Sequence, residues 1–349
     1  MQYWGLSMSV AIVGRPGEAL PASNEYSGIR HLALMFVVVA AALSVAPAAA
    51  ENYPTRPIRL YVAFPPGGAA DIVARLVAQP LSARLGQPVV VENKPGSGGN
   101  IAGELIAHAA PDGYSLLIGP DNLFTVNPHL FSKMSFDPLK DIIPIATVQS
   151  NALVLAINPK VPANDLKEFI ALANRSDPPL FYASIGNGSL HHLAMEMLKQ
   201  EAGIKLTHVP YRGGGPAGIA VLAGDVAGMF GGGSVFPMVT SGQLRGLAVS
   251  SRKRSTELSE LPSISEFYPN YEAAIWQGLF GPAGTPQDII DKLRKEVSAI
   301  LESKDFADKL TKTGSGEPYI TSLDEFKARI HQDFERYGPI VKAAGVQVH

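Results

Sequence analysis

The sequence predicts an α/β protein with doubly wound sheets, in which helices cover both faces of each sheet. Three observations support this fold class. Short apolar runs rich in β-branched residues alternate with helical patterns along most of the chain. Glycine-rich loops follow several of these predicted strands. The chain has 349 residues, 46% of them hydrophobic, which is enough for one large or two ordinary domains. Because strands alternate with helices, we expect mainly parallel sheets.

The stretch from Ile58 to Arg75 is the most informative part of the chain. Its apolar run, Ile58 to Phe64, predicts a buried strand, and a loop follows from Pro65 to Ala70. A helical pattern begins at Asp71. Free N–H groups and the helix dipole at such a start form a site for an anion. The loop lacks lysine, histidine, cysteine and serine. It therefore predicts binding of a negative group, not its chemical transformation.

The other strand and helix signals continue this alternation. The further predicted strands are Val89 to Val91, Ser115 to Ile118, Leu153 to Ile157, Leu180 to Ser184, Leu206 to Val209, Val226 to Phe230 and Leu244 to Ser250. The further predicted helices are Ile101 to Ala110, Ala163 to Ala173, His192 to Ala202, Pro216 to Ala223, Pro286 to Ser303 and a last helix ending near Ala344. The expected caps are Asn164 or Asp165, Thr285 before Pro286, and a capping box of Ser322 with Glu325.

The N-terminal region has the pattern of a secretory signal. Arg30 and His31 precede an apolar run from Leu32 to Val45, and small residues up to Ala50 follow it. The run is shorter than the roughly 20 residues that a membrane-spanning helix needs, so a cleaved signal is favoured over an anchor. We expect cleavage after Ala50, which makes residues 1–50 the signal peptide.

The mature chain, Glu51 to His349, is expected to be exported to the periplasm. Translation starts at Met1, Met8 or a later residue, and the sequence leaves this open. The net charge of −2 gives no reason to expect a nucleic-acid partner. The absence of cysteine excludes disulfides and thiolate chemistry.

Four glycine-rich loops follow predicted strands: Pro65 to Ala70, Pro95 to Gly99, Ile185 to Ser189 and Tyr211 to Gly215. Any one of them has the composition of an ordinary strand-to-helix connection. In open α/β sheets, however, ligands bind beyond the carboxyl ends of the strands, where all four loops lie. Together they predict one shared anion site.

The sequence lacks the motifs that are typical of nucleotide binding, serine hydrolysis and metal binding. No glycine loop leads into Lys-Ser or Lys-Thr, and the dinucleotide pattern that starts at Gly96 has Ile101 where a third glycine is needed. No serine has the G-x-S-x-G surroundings of a hydrolase nucleophile. His191 and His192 are adjacent on a predicted helix and so do not face each other. We therefore expect no catalytic residues, no cofactor and no metal.

Three polar residues near these loops keep alternative interpretations. Arg212 has the chemistry to clamp a carboxylate bidentately, or it is a solvated loop charge. Asp71 is expected to cap its helix, and it is also placed to accept a hydrogen bond from a ligand hydroxyl or amino group. His192, at a helix start, is expected to donate a hydrogen bond to a ligand carboxylate.

Several long motifs resemble one known family. They are YPTRPIRLYVAFPPGGAADIVAR, QPVVVENKPGSGGNIAGELIAHAAPDGYSLLIG, NPHLF, IGNGSLHHLAMEML, THVPYRGGGPAGIAVLAGDV and PAGTP. In their order and spacing the chain resembles the solute-binding proteins of tripartite tricarboxylate transporters, the Bug-type receptors. The resemblance runs from about Tyr53 to Gly345. It implies the type II periplasmic binding protein fold, with two doubly wound lobes around a ligand cleft.

The resemblance also implies the lobes, the ligand and the site. Lobe one is expected to comprise residues 51–151 and 276–349, and lobe two residues 152–275. A small organic carboxylate is expected to be held by backbone amides and ordered water, and then passed to membrane subunits of the transporter by a monomeric receptor. The expected ligand-binding residues are Gly67, Gly68, Ala69, Ala70, Asp71, Asn122, Ser184, Gly186, Asn187, Gly188, His192, Tyr211, Arg212, Gly213 and Gly214.

The chain departs from the family's pattern in two loops, and two rival functions stay open. Asp121 to Phe124 occupies a loop that usually carries small hydroxyl residues, and Phe124 suggests an apolar contact with the ligand. The segment Phe230 to Ser234 has glycines where an acidic or amide residue is common, which suggests extra room. The identity of the carboxylate therefore stays open. The rivals are a ligand sensor that contacts a kinase, and an enzyme that acts on a carboxylate.

Overall fold

The computed structural model describes residues 53–313 and 315–345, and it contains two β-sheets. The predicted signal peptide lies outside the described residues. The strands of the first sheet are β1 (Ile58–Val62), β2 (Val89–Asn93), β3 (Ser115–Pro120), β4 (Ile142–Ala152), β10 (Ala274–Pro282) and β11 (Glu317–Pro318). The strands of the second sheet are β5 (Val154–Ile157), β6 (Leu180–Ser184), β7 (Leu206–Pro210), β8 (Gly228–Gly231) and β9 (Arg245–Val249).

The helices lie between these strands and after them. They are α1 (Ala69–Leu85), α2 (Asn100–Ala107), α3 (Asp121–Thr125), α4 (Asn127–Leu130), α5 (Leu166–Arg175), α6 (Leu190–Ala202), α7 (Gly214–Ala223), α8 (Phe236–Thr240), α9 (Gln287–Leu301), α10 (Lys304–Lys312) and α11 (Leu323–Ala343). Short 3₁₀ turns lie at Ser97–Gly99 and Ile264–Glu266. The alternation of strands and helices agrees with the predicted α/β class.

The strand order of the first sheet is β11-β4-β10-β3-β1-β2, and that of the second is β7-β6-β8-β5-β9. In the described chain, four strand pairs run parallel and five run antiparallel. The expectation of mainly parallel sheets is therefore wrong. The glycine loops nevertheless leave parallel strands: β1 pairs parallel with β2 and β3, and β6 with β7 and β8.

Three of the five antiparallel pairs involve β4 or β10, two strands that the sequence did not predict, and the other two pair β5 with β8 and β9. Strand β4 contains Pro144 and β10 contains Gly278 and Gly281, and both residue types weaken a strand signal. Packing requires a glycine at position 278, because a Cβ there would lie 2.4 Å from the ring of Phe326 on α11. Packing against distant residues thus stabilises β10 as a strand, although its local sequence disfavours one.

Two of the predicted helix caps are confirmed and one is wrong. Asp165 caps α5 by accepting from the amide of Glu168, and Ser322 forms the predicted capping box with Glu325. Thr285 does not cap α9. The N-cap residue is Pro286, and Thr285 Oγ1 donates instead to the carbonyl of Pro282 at 2.8 Å.

Ser250 ties together the two points at which the chain passes between the sheets. Its Oγ accepts from the amide of Leu153, between β4 and β5, at 2.8 Å. The same Oγ donates to the carbonyl of Ala273, just before β10, at 2.5 Å. Backbone bonds from Ser250 to Leu153 and from Ala273 to Ser250 complete the connection. The fully buried hydroxyl therefore couples both crossings.

Four apolar cores cover the faces of the sheets. Helices α1, α9 and α10 pack on one face of the first sheet, and α2, α3 and α11 on the other. Helices α5 and α6 pack on one face of the second sheet, and α7 and α8 on the other. Helix α11 serves two cores: Phe326 and Ile330 belong to the first-sheet core, whereas Tyr337 and Ile340 belong to a second-sheet core.

Phe124 belongs to the core of the first sheet and not to the ligand site. Only 1% of the residue is exposed, and its ring stacks on Phe280 with 4.1 Å between centroids. The expectation that Phe124 contacts a ligand is therefore wrong. The short helix α3 turns this side chain into the sheet face beside Trp276.

We predict that Phe124→Ala lowers the free energy of unfolding by about 3–5 kcal/mol, because it removes a buried ring and leaves a cavity. Urea denaturation measures this change. Phe181→Ala is the matched control, since Phe181 is 46% exposed and its loss should cost less than about 0.5 kcal/mol. Similar small losses in both variants would contradict the core assignment of Phe124.

Candidate functional site

The first candidate loop joins β1 to α1. Its N-cap residue, Gly68, has no side chain to bond the first amides of the helix. Ala69 and Ala70 therefore begin the helix with N–H groups that have no carbonyl one turn back. Neither amide donates to another group within the described part of the chain. Gly67 has a φ of +81°, which glycine adopts without strain. These free donors at the positive end of a helix suit an anion.

Asp71 fastens this loop. It lies at the third helical position, so the expectation that it is the N-cap residue is wrong. One carboxylate oxygen accepts from the amide of Gly67 at 2.9 Å and from Arg75 Nε at 3.0 Å. The other accepts from Asn93 Nδ2, at the end of β2, at 2.9 Å. The hydrogen bond from Arg75, helped by those from Gly67 and Asn93, lowers the pKa of Asp71 to about 2.

These bonds change which amides of the loop are available. The N–H of Gly67 is taken by Asp71, and the N–H of Gly68 lies 3.4 Å from the carbonyl of Pro65. Asn93 also donates to the carbonyl of Phe64 at 2.9 Å, which fixes the other end of the loop. The amides left for a ligand are therefore those of Ala69, Ala70 and Asp71, since none of the three donates to another group within the described chain.

The second candidate loop joins β6 to α6. Ser184 is fully buried, and its Oγ accepts from the amide of Gly186 at 3.1 Å. His192 is 3% exposed, and its Nδ1 accepts from the amide of Gly188 at 3.2 Å. Ser189 caps α6. Within the described chain the amide of Asn187 has no partner, and this residue is exposed at the tip of the loop.

The third candidate loop joins β7 to α7 and touches its neighbours. The amide of Tyr211 donates to the carbonyl of Ser184 at 2.9 Å, which links it to the second loop. A Cβ on Gly214 would lie 2.5 Å from Ser234 Oγ, so the loop after β8 is also close. Arg212 is exposed, and it forms no ion pair with any residue in 53–313 or 315–345.

Asn122, at the start of α3, supports a neighbouring loop. Its Nδ2 donates to the carbonyl of Gly98 at 2.7 Å and lies 3.1 Å from Asn127 Oδ1. Asn127 Nδ2 donates to the same carbonyl at 3.1 Å. Two asparagines therefore hold the glycine-rich loop after β2, where Gly98 has a φ of +64°.

The structure thus sorts the expected site residues into two groups. Those with a free donor at a loop or helix start are Ala69, Ala70, Asn187, Arg212, Gly213 and Gly214. Those whose side chain or amide is already bonded inside the protein are Gly67, Gly68, Asp71, Asn122, Ser184, Gly186, Gly188, His192 and Tyr211. Contact of either group with a ligand stays a prediction.

Sequence reasoning missed the residues that fasten these loops. Arg75 lies four residues after Asp71, a spacing that places both side chains on one helix face. This spacing was available as a signal. Asn93 ends β2, which pairs with β1, and His208 lies in the middle of β7, which pairs with β6, so only strand order brings them to the loops.

None of the other features of the described residues indicates a second functional site. A cavity of about 530 Å³ lies beside the crossing strands, with Ser150, Arg252, Glu272 and Arg329 in its wall, and none of the expected site residues lines it. No group of three or more metal-ligating side chains occurs in the described chain. None of the described helices combines the length and hydropathy of a membrane span.

Comparison with protein families decides what kind of protein carries these loops. Residues 73–346 match the family described as "Tripartite tricarboxylate transporter family receptor". The chain belongs to this family. The resemblance inferred from the motifs is therefore confirmed.

Similar receptors agree in sequence and in structure. Protein BugT of Bordetella pertussis (strain Tohama I) is 34% identical over 325 residues, which cover 91% of this chain and 98% of BugT. A protein of R. palustris solved with adipate has a TM-score of 0.70 at 33% identity, covering 84% of this chain and 99% of that one. MatC of Rhodopseudomonas palustris, with bound malate, has a TM-score of 0.65 at 29% identity, covering 83% and 100%. The expected two-lobed fold of periplasmic binding proteins is confirmed.

We predict that Asp71→Ala weakens binding of every carboxylate by a similar factor, because the loop loses three bonds while its free amides remain. Titration calorimetry with several carboxylates measures this ranking. The matched control is Asp165→Ala, which removes the cap of α5 and should cost about 1 kcal/mol of stability without changing affinity. An altered ranking in the Asp71 variant would instead show that the carboxylate contacts the ligand.

The low pKa of Asp71 predicts how its contribution to stability depends on pH. The pKa is about 2 in the folded protein and about 3.9 in an unfolded chain, so the stabilisation is complete above pH 3.9. It is lost as the pH falls through about 2. The difference in unfolding free energy between wild type and Asp71→Ala should therefore shrink over that interval. A constant difference, measured by denaturation at several pH values, would contradict this.

Proposed function

We propose that this protein is a periplasmic receptor that captures a small di-, tri- or aromatic carboxylate between its lobes and delivers it to the membrane subunits of a tripartite transporter. The observation that carries the proposal is the set of free amides at the starts of these loops and helices, among them those of Ala69, Ala70 and Asn187, in loops that Asp71, Ser184 and His192 hold in place. Membership of the receptor family and the carboxylates bound to two solved relatives support it.

The physical basis is that fixed N–H dipoles bind an anion best when water is excluded. Hydrogen bonds to a charged acceptor are roughly twice as strong as those between neutral groups. Their strength grows further in a low-dielectric cleft. Closure of lobe one, residues 51–151 and 276–349, on lobe two, residues 152–275, would surround the carboxylate with such donors.

The cellular setting follows from the family and the N-terminus. Solved members of this family are periplasmic binding proteins. The predicted signal peptide, residues 1–50, would export this chain to the same compartment. We propose that the mature receptor acts as a monomer, and that delivery to a transporter is favoured over sensing, because the family is defined by transport.

An enzymatic role is the weaker candidate. Ser184 Oγ lies 2.6 Å from His208 Nε2, the contact of a nucleophile with its base. Ser184 is fully buried, however, and its hydroxyl is also bonded to the backbone of Gly186. A substrate would have no access to it. This arrangement supports a structural pair, so we propose a receptor without catalytic residues.

We predict that adipate, malate, citrate or an aromatic carboxylate raises the thermal midpoint of the mature protein. A ligand at about 100 times its dissociation constant adds roughly 2.7 kcal/mol to the stability of the folded state. The neutral control is adipamide, which matches adipate in length. A shift with adipamide and none with any carboxylate would overturn the anion site, and turnover of a bound carboxylate would overturn the receptor.

We predict that Arg212→Gln weakens binding of the preferred carboxylate about 10- to 100-fold, because a charge-assisted bond contributes roughly 1.5–3 kcal/mol. The ligand-free midpoint should not change, since Arg212 is exposed. Arg175→Gln on the exposed end of α5 is the charge-matched control. Equal affinities of both variants and wild type would make Arg212 a solvated loop charge.

A further inference from the structure

Two histidine rings stack beneath the loop that joins β6 to α6. The ring of His192, on α6, lies 3.9 Å from that of His208, on β7, with an interplanar angle of 8°. Tyr182 of β6 stacks on His208 with 5.0 Å between centroids. Neither the sequence pattern nor the binding role proposed for the loop requires such a pair.

Each ring holds the loop at a different place. His208 Nε2 lies 2.6 Å from Ser184 Oγ, and this hydroxyl in turn accepts from the amide of Gly186. His192 Nδ1 accepts from the amide of Gly188 at 3.2 Å. The pair therefore fixes both neighbours of Asn187, the residue whose amide stays free at the tip.

The bond to Gly188 requires a neutral ring. An amide N–H donates only to a ring nitrogen that carries no proton. If His192 took up a proton, Nδ1–H would face the N–H of Gly188, and the bond would be replaced by a repulsion between two donors. A proton on His208 would place a positive charge against the face of its stacked neighbour.

The charged groups that face the pair are already engaged. Glu196, on α6, lies 3.8 Å from His192 Nε2, but its oxygens accept from Tyr182 OH at 2.5 Å and from Lys199 Nζ at 2.7 and 2.8 Å. Lys199 offsets the attraction of this carboxylate for an imidazolium. Burial is the main cause that lowers the pKa of both histidines, that of His208 to about 4 with a further contribution from His192.

We propose that the stacked pair of His192 and His208 positions the ligand loop only while both rings are neutral, and that proton uptake frees the loop and releases the carboxylate. This inference rests on the proposed function of the loop as a wall of the ligand site. His192 is then a positioning residue that acts through the amide of Gly188, in place of the direct contact expected from the sequence.

The direction of the pH effect follows from the two states of the loop. A histidine exposed to water when the loop is freed has a pKa near 6.5, whereas burial in the ordered state lowers the pKa of His208 to about 4 and also lowers that of His192. Between these values the freed state takes up protons and the ordered state does not, so acid favours the freed state. Affinity should be complete near pH 7 and fall towards pH 4.5.

The decisive experiment compares wild type with a double variant that keeps the bonds and cannot titrate. In His192→Asn the amide oxygen replaces Nδ1, and in His208→Gln the amide nitrogen replaces Nε2. Adipate binding is measured by calorimetry from pH 7.5 to 4.5. The protonation of adipate affects both proteins equally, so it cancels in the ratio of their dissociation constants. Whatever its value at pH 7, the dissociation constant of wild type divided by that of the double variant should rise about tenfold or more between pH 7 and pH 4.5.

A second variant separates the bond from the stacking. His192→Phe keeps a ring against His208 and loses the acceptor for Gly188, so it should bind about tenfold more weakly than wild type at pH 7, and this difference should shrink towards pH 4.5. A constant affinity ratio between wild type and the double variant, or wild-type affinity in His192→Phe, would overturn the proposal.

A measurement without ligand tests the histidine pair separately from the proposed receptor function. Nitrogen-15 spectra of the wild-type protein should show His192 as the Nε2–H tautomer. The protection of the Gly186 and Gly188 amides from hydrogen exchange, measured relative to the intrinsic exchange rate at each pH, should fall below about pH 6. Protected amides down to pH 4 would overturn the histidine pair even if carboxylates bind, whereas failure of every carboxylate at pH 7 would overturn only the receptor.

Discussion

The candidate site depends on one constraint: each loop must present a few free amide N–H groups while hydrogen bonds inside the protein hold the loop in one conformation. An unpaired donor is tolerated only where water or a ligand reaches it. In the loop after β1, the carboxylate of Asp71 takes the amide of Gly67 and leaves those of Ala69, Ala70 and Asp71 itself. In the loop after β6, Ser184 and His192 take the amides on either side of Asn187. In both loops, therefore, side chains bond some of the amides and leave others free, but the side chains differ between the two loops.

The sheets bring these loops into position. Parallel pairing of β1 with β2 and β3, and of β6 with β7 and β8, places the ends of three strands at one edge of each sheet. The carboxyl ends of such strands are where ligands bind in open α/β folds. The antiparallel strands β4 and β10 have a different role, since they carry the chain between the sheets beside Ser250.

The sequence predicted the features that have a local cause. The opening unit of strand, loop and helix, the Asp165 cap and the Ser322 capping box all follow from a few neighbouring residues. The strands β4 and β10 were missed because Pro144 and Gly278 weaken the strand pattern of the sequence. Packing against distant residues, such as that of Gly278 against Phe326, stabilises β10 nevertheless. The loops of the site were predicted, but not the residues that fasten them. Phe124 was misplaced because a five-residue helix, invisible to periodicity, turns it into the core.

The long C-terminal helix α11 has a consequence for the order in which the chain folds. Phe326 and Ile330 complete a core of the first sheet, and Tyr337 and Ile340 complete one of the second. Neither of these two cores is complete without α11, so we expect both sheets to finish folding only when this helix packs against them.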